Sequence, residues 1–343
     1  MQHRGAGSLK LMDVGPRQHL DYLDGWRGIS IFLVIAGHFS LIPTINGHDF
    51  YTARAGVEFF FVLSGRLMAT ILFINRITIP QFYWRRFARI FPALLWLVFA
   101  LLVIREISIS DAVLALTFTA NYIPPSEPLE HVWSLCVEEH SYIILSVIAI
   151  ISRRRKINVA AVLFSISAMA MASGTIQTWI FHRGYEEVYR HSDVKISSVF
   201  IAAAMFLRFR KTTVPPIAPL IAVAFGLIIN IPYSMPDPVK YTFGTASIAF
   251  GVATIDQTWR WATILLGSSI WRILGKWSFS VYLWQQPFYL QSMHSKWLLL
   301  SEVFAASLFS FFLIEQPARA FLNSHYFKKE IDPIMPLPDG SAQ

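Results

Sequence analysis

Apolar runs close to the length a helix needs to cross a bilayer, about 20 residues, recur along this chain with short polar breaks between them. They cover residues 29–45, 56–74, 90–104, 132–151, 157–181, 195–209, 216–233, 241–256, 277–293 and 297–314. The pattern predicts an all-α fold, a polytopic membrane helical bundle of about ten transmembrane helices. A further run at 111–123 is too short to cross and is read as a surface or re-entrant helix. Pro215, Pro216, Pro232, Pro236 and Pro238 fall at or near run ends, where they mark turns. No internal repeat, low-complexity tract or second soluble domain is visible.

Charge orients the bundle. With 111–123 left out of the crossings, Arg76, Arg85, Arg86, Arg89, the 153–156 cluster, Arg208, Arg210, Lys211, Arg260, Arg272 and Lys276 all fall on one side. With Arg4, Lys10, Arg17 and Arg27 near the start and Arg319, Lys328 and Lys329 near the end, 21 basic residues lie on that side and seven on the other: Arg54, Arg105, Arg183, Arg190, Lys195, Lys240 and Lys296. The positive-inside tendency makes the richer side cytoplasmic. Residues 1–21 and 321–343 are then expected to be cytoplasmic segments flanking a transmembrane domain at 22–320, in the inner (plasma) membrane. The first 21 residues are polar and basic, so no cleavable signal peptide is expected. The formal charge of +8 follows from this topology and makes a nucleic-acid partner unnecessary. Composition agrees: 55% of residues are hydrophobic and only 15% charged, well under the charged share of soluble domains. The single cysteine, Cys136, excludes an intrachain disulfide and a multi-cysteine metal site. It is read as packing, with a covalent acyl carrier as the alternative.

Ionisable groups inside apolar runs are expensive and therefore candidates for function. His38 stands in the first run, and Arg27, eleven residues earlier, shares its helical face about 16 Å away. The alternative for His38 is a buried imidazole bonded to a neighbouring carbonyl. Arg66 is expected near mid-membrane, where it needs an anionic or carbonyl partner, with Glu58 as one possibility. Ser64-Gly65 just before it would let a neighbouring helix approach closely. Arg85, Arg86 and Arg89 lie within five positions at the cytoplasmic mouth. The pair Arg86 and Arg89 suits phosphate oxygens, or else lipid headgroups. The stretch His131-Val-Trp133-Ser134-Leu-Cys-Val-Glu138-Glu139 enters from outside and carries two carboxylates, Glu138 roughly 9 Å in. They are read as base partner or acceptor ligands, or as an ion pair with Arg66 or another buried cation. Tyr282 and Gln285 add polar groups at helical spacing late in the chain, and Glu315 could brace the arginines.

Five stretches then occur together in order: Leu23-Asp-Gly-Trp-Arg27 ahead of His38, Gly56-Val-Glu with Phe-Phe-Val-Leu-Ser-Gly65, Arg86-Phe-Ala-Arg89, Trp133-Ser-Leu with Glu138, and Glu315-Gln-Pro317. From about residue 20 to 320 the chain resembles the acyltransferase 3 family of membrane O-acyltransferases, which modify extracytoplasmic carbohydrates and some small molecules. The resemblance implies that His38 is essential and that the arginines serve an acyl-CoA donor, most commonly acetyl-CoA, or the fold. It implies an acceptor outside, such as the glycan of a lipopolysaccharide or exopolysaccharide. Carried over, catalytic roles fall on His38 and Glu138, and donor binding on Arg27, Arg85, Arg86 and Arg89. Beyond what the resemblance carries, Trp133, Ser134, Glu139, Arg66, Tyr282 and Gln285 are expected to bind the acceptor, and no metal is expected. Two positions depart from the family pattern: Arg66 replaces an apolar or aromatic residue, and Gln285 stands where many members have histidine. No fused extracytoplasmic esterase-like domain is expected. Two other function classes stand beside this one: a proton-coupled or anion transporter using His38, Arg66 and Glu138, and a non-catalytic membrane scaffold.

Overall fold

A computed structural model describes residues 21–42, 52–232, 234–291 and 295–331. Most of the expected cytoplasmic N-terminal segment, the last residues of the first apolar run and the end of the C-terminal tail lie outside these. The described chain is helical throughout, without a β-strand. In order the helices are α1 (Asp21–His38), α2 (Thr52–Ala69), α3 (Ile79–Val103), α4 (Ile109–Leu116), α5 (Trp133–Arg154), α6 (Val159–Trp179), α7 (Tyr185–Arg190) and α8 (Ser192–Phe209). They continue as α9 (Ala218–Asn230), α10 (Asp237–Val239), α11 (Thr245–Thr254), α12 (Arg260–Leu266), α13 (Ser269–Tyr289), α14 (Lys296–Phe309) and α15 (Gln316–Ile331). Wider π-turns extend α2 through Ile74, lead into α11 and join α14 to α15.

Five helical stretches are long and apolar enough to cross a membrane: Thr52–Ile74, Ile79–Val103, Glu127–Arg154, Val159–Trp179 and Lys296–Tyr326. The protein is therefore a multi-pass membrane protein. Three more helices, α1, α8 and α13, have at least 18 residues but carry charged or polar groups along their length. Those groups turn inward, as with Lys195 on α8 and Gln285 and Gln286 on α13, all buried. The short run at 111–123 becomes the eight-residue α4, about 12 Å long and unable to cross. A capping box of Ser108 and Asp111 starts it, and Ser126 donates to the same carboxylate at 2.6 Å. These donors hold the Asp111 carboxyl down to about 2.

Side-chain caps set other helix starts. Thr78 accepts from the Gln81 amide, with Pro80 in the first turn of α3, and Asn158 accepts from Ala161 at the start of α6. The core seam is α1 against α13. A Cβ on Gly28 would lie 2.1 Å from the Trp271 carbonyl oxygen, and one on Gly275 1.9 Å from that of Asp24. Only glycine lets these backbones touch. Around this seam the bundle keeps polar groups inside, while Phe32, Leu95, Phe99, Met169 and Ile228 face outward, the arrangement a lipid solvent favours.

Candidate active site

Among the described residues two cavities stand out, named inner and outer for the sides on which the charge pattern is expected to place them. The inner one, about 90 Å³, is lined by side chains of α1, α2, α3, α5 and α13, including Arg27, Arg86, Arg89, Ser64 and Glu138. The outer one, about 200 Å³, includes His38, Glu130, His131, Trp133, Arg190 and Tyr289. Val57 and Tyr282 line both, so these two side chains form a shared wall. The Tyr282 hydroxyl is fixed there: it donates to the His131 carbonyl at 2.9 Å and lies 2.6 Å from Ser134 Oγ.

The inner cavity is a guanidinium site. α3 presents Arg86 and Arg89 one turn apart on one face, and Arg27 approaches from α1. Arg27 is the largest electrostatic influence on Arg89, Arg86 and Arg319 add to it, and Glu315 opposes them. Glu315 is held by Ser280 at 2.7 Å. Arg86 is balanced by Glu138 at 3.3 Å and Glu139 at 3.4 Å and lies over the Tyr142 ring at 3.9 Å. Arg27 has Asp24 at 3.7 Å. Among the described residues Arg89 has no carboxylate within ion-pair distance, leaving a positive surplus that suits an anionic ligand. Arg85, next to Arg86 but rotated by about 100° around the helix, does not line this cavity.

Glu138 is expected either to orient the histidine from the outer side or to pair with a buried cation, and the second is what the structure shows. It joins the arginines: Ser64 Oγ donates to Oε1 at 2.6 Å, and the Tyr142 hydroxyl to Oε2 at 2.7 Å. Three donors including Arg86 hold this carboxylate. Ser64 thus supplies a hydrogen bond, while Gly65 provides the close approach, its position facing the Val199 carbonyl of α8.

His38 was expected near the middle of a span; it is the last residue of α1 and opens on the outer cavity. Its Nδ1 lies 2.6 Å from Gln285 Oε1, and the ring stacks on Tyr289 at 4.6 Å. The amide oxygen places the proton on Nδ1 and leaves Nε2 with a lone pair. The residue that departs from the family pattern is therefore the partner of the imidazole. Trp133 forms part of the same wall, edge-on to Tyr189, and Arg190 pairs with Glu130 across the cavity.

Arg66 lies in neither cavity. It is expected at mid-membrane beside Glu58, but its guanidinium bonds the Val252 carbonyl, reaches the Tyr22 hydroxyl at 3.2 Å and pairs with Asp256 at 3.3 Å. It joins the start of α1 to the end of α11. Glu58 pairs instead with the buried Lys195, and Thr245 donates to it at 2.8 Å. His38, Arg66 and Glu138, which a transporter would link, occupy three separate networks. Cys136 is buried, lines neither cavity and packs with Leu129, Val132 and Leu135. Among the described residues no group of three or more His, Cys, Asp or Glu could hold a metal ion. Sequence reasoning missed His131 as a cavity residue; its place beside Trp133 at the entry to α5 was the available signal.

The class of protein defined by this bundle is a membrane protein whose inner cationic cavity abuts an imidazole-lined outer one. The model of the acyltransferase domain matches residues 20–314, and the chain belongs to that family, acyltransferase 3. Among curated proteins it is similar to O-acetyltransferase OatA of Staphylococcus aureus (strain NCTC 8325 / PS 47), 24% identical across 87% of this chain and 57% of that one. It is also similar to peptidoglycan O-acetyltransferase OatA of Listeria monocytogenes, 23% identical across 91% of this chain and 58% of that one. The chain thus spans less than two thirds of the length of these relatives. No solved structure matches it.

Proposed function

We propose that this protein is a membrane O-acetyltransferase that moves an acetyl group from cytoplasmic acetyl-CoA to a hydroxyl of an extracytoplasmic glycan. The observation that carries the reading is the pair of cavities sharing Tyr282 and Val57, with guanidinia on one side and His38 on the other. About ten helices cross the membrane: the five long apolar ones together with α1, α8, α9, α11 and α13. The domain spans residues 22–320, with both flanking segments in the cytoplasm.

Arg27, Arg86 and Arg89 hold the donor's phosphates, and Glu138 and Glu139 keep Arg86 in place. The thin pantetheine arm directs the thioester to the wall at Tyr282. On the far side, His38 Nε2 removes the acceptor hydroxyl proton as the oxygen bonds to the thioester carbonyl carbon. The carbon–sulfur bond breaks, the same proton passes to the departing sulfur, and CoA leaves as the thiol. Gln285 fixes the ring so that Nε2 faces the acceptor. General-base assistance supplies about 10² to 10⁴ in rate, and alignment of donor and acceptor across the shared wall supplies more. The names of the two relatives, one specifying peptidoglycan, support acetyl as the group and a glycan as the acceptor.

The test is CoA release by the purified protein in lipid, given labelled acetyl-CoA and soluble peptidoglycan strands or a total glycolipid extract, with His38→Ala alongside. Histidine-dependent thiol release with label on the glycan is the expected result. Full transfer by His38→Ala would end this mechanism.

A further inference from the structure

The mechanism above leaves His131 without a task. This residue lies in the tight turn Glu127–Val132 ahead of α5, is 5% exposed and lines the outer cavity. Both of its ring nitrogens are buried without a geometrically sound hydrogen bond. A buried polar group left so costs about 1–3 kcal/mol, which a bound ligand could recover.

The surroundings distinguish the two nitrogens. In α13 the Leu283 carbonyl would ordinarily accept from residue 287, but Pro287 lies inside that helix and has no N–H to give. The Leu283 carbonyl is thereby left without its usual helical donor. A backbone carbonyl favours the tautomer with its proton on the nitrogen facing it, leaving a lone pair on the other. The ring is held edge-on to Tyr282 at 5.4 Å, and the Tyr282 hydroxyl holds its main-chain carbonyl. His38 lines the same cavity.

We propose that His131 is a second acceptor-binding residue, whose unpartnered ring nitrogen accepts a hydrogen bond from a hydroxyl neighbouring the one that His38 deprotonates. The inference rests on the acetyltransferase reading of the outer cavity and narrows its substrate class. Two imidazoles lining one space fit an acceptor with adjacent hydroxyls, a glycan rather than a simple alcohol. Trp133, Tyr189 and Tyr289, which line the same space, offer aromatic walls against which a sugar can pack.

Two measurements test it, both on the described protein in lipid nanodiscs with soluble peptidoglycan strands as probe. In transfer kinetics with acetyl-CoA, His131→Leu raises the acceptor KM by about tenfold or more, the loss of one such bond. It leaves the acetyl-CoA KM near wild type, because the donor is held by the arginines of the other cavity. His131→Asn, whose Oδ1 can accept the same bond, recovers most of the loss. An unchanged acceptor KM in folded His131→Leu overturns the inference. The second measurement needs no variant: with ¹⁵N-labelled histidine rings, adding the strands shifts the ring-nitrogen resonance of His131, and a stationary resonance at saturating strands overturns the inference. A shifted resonance without acetyl transfer would keep the His131 contact and remove the acetyltransferase reading. Normal transfer with unchanged KM and a stationary resonance would do the reverse.

Discussion

The inner and outer cavities share a wall but solve opposite electrostatic problems. The inner one gathers guanidinia and tolerates them by braced carboxylates: Glu138 has three donors, and Glu315 is held by Ser280. The outer one holds imidazoles without a charged partner: His38 meets the neutral amide of Gln285, and neither ring nitrogen of His131 has a hydrogen bond. A permanently charged group in a low-dielectric interior needs a counter-charge. A group that must take up and release a proton is better served by a neutral orienting partner, because a fixed carboxylate would hold the proton on it. On the proposed reading, this difference separates donor binding from proton transfer.

The largest effect expected is on the outer side. His38→Ala should lower acetyl transfer by about 10² to 10⁴ while leaving acetyl-CoA affinity, read by isothermal titration, unchanged. Equal losses in both would merge the two cavities into one functional unit. On the inner side, Glu138→Leu should strip Arg86 of a charge partner and cost about 3–5 kcal/mol of stability, seen as a lower thermal transition in nanodiscs. If Glu138→Leu kept its stability and lost only turnover, the carboxylate would belong to the chemistry instead. Arg89→Ala should raise the KM for acetyl-CoA about ten- to a hundredfold, the loss of one or two charged hydrogen bonds, with the acceptor KM constant. Gln285→Leu should lower kcat by about tenfold through loss of ring orientation, one hydrogen bond's worth, without altering acetyl-CoA binding. The smallest effect belongs to Cys136→Ala, which should retain wild-type turnover, because its thiol packs away from both cavities. Loss of transfer there, with no labelled acyl-cysteine formed, would point to packing; trapped acyl-cysteine would revive the carrier alternative.

Much of the bundle was legible in the residue pattern. Each of the ten apolar runs falls at least partly on a described helix, and the charges separated the short α4 from them. Arg27 and His38 were placed on one face by helical spacing, and both line the central cavities. Spacing also paired Arg86 with Arg89. What could not be read was partnership between helices. Glu138 was sought beside His38 and Glu58 beside Arg66, yet each found its counter-charge on a different helix. Arg66 and Arg85 carried the same residue type as their cavity-lining neighbours, and only their direction excluded them.

The sequence by itself determined that the chain is helical, membrane-embedded and burdened with buried arginines and histidines, since lipid leaves polar backbone no alternative to helices and makes each buried charge conspicuous. It also placed the stretches that match the acyltransferase family. The tertiary structure decided which charges meet. Helical periodicity fixes only the face on which a side chain lies. The contact of Gly28 and Gly275 sets how α1 meets α13, and with it that His38 faces Gln285 and that Tyr282 stands between two cavities. Those pairings depend on backbone distances between segments nearly 250 residues apart, a quantity no local pattern carries.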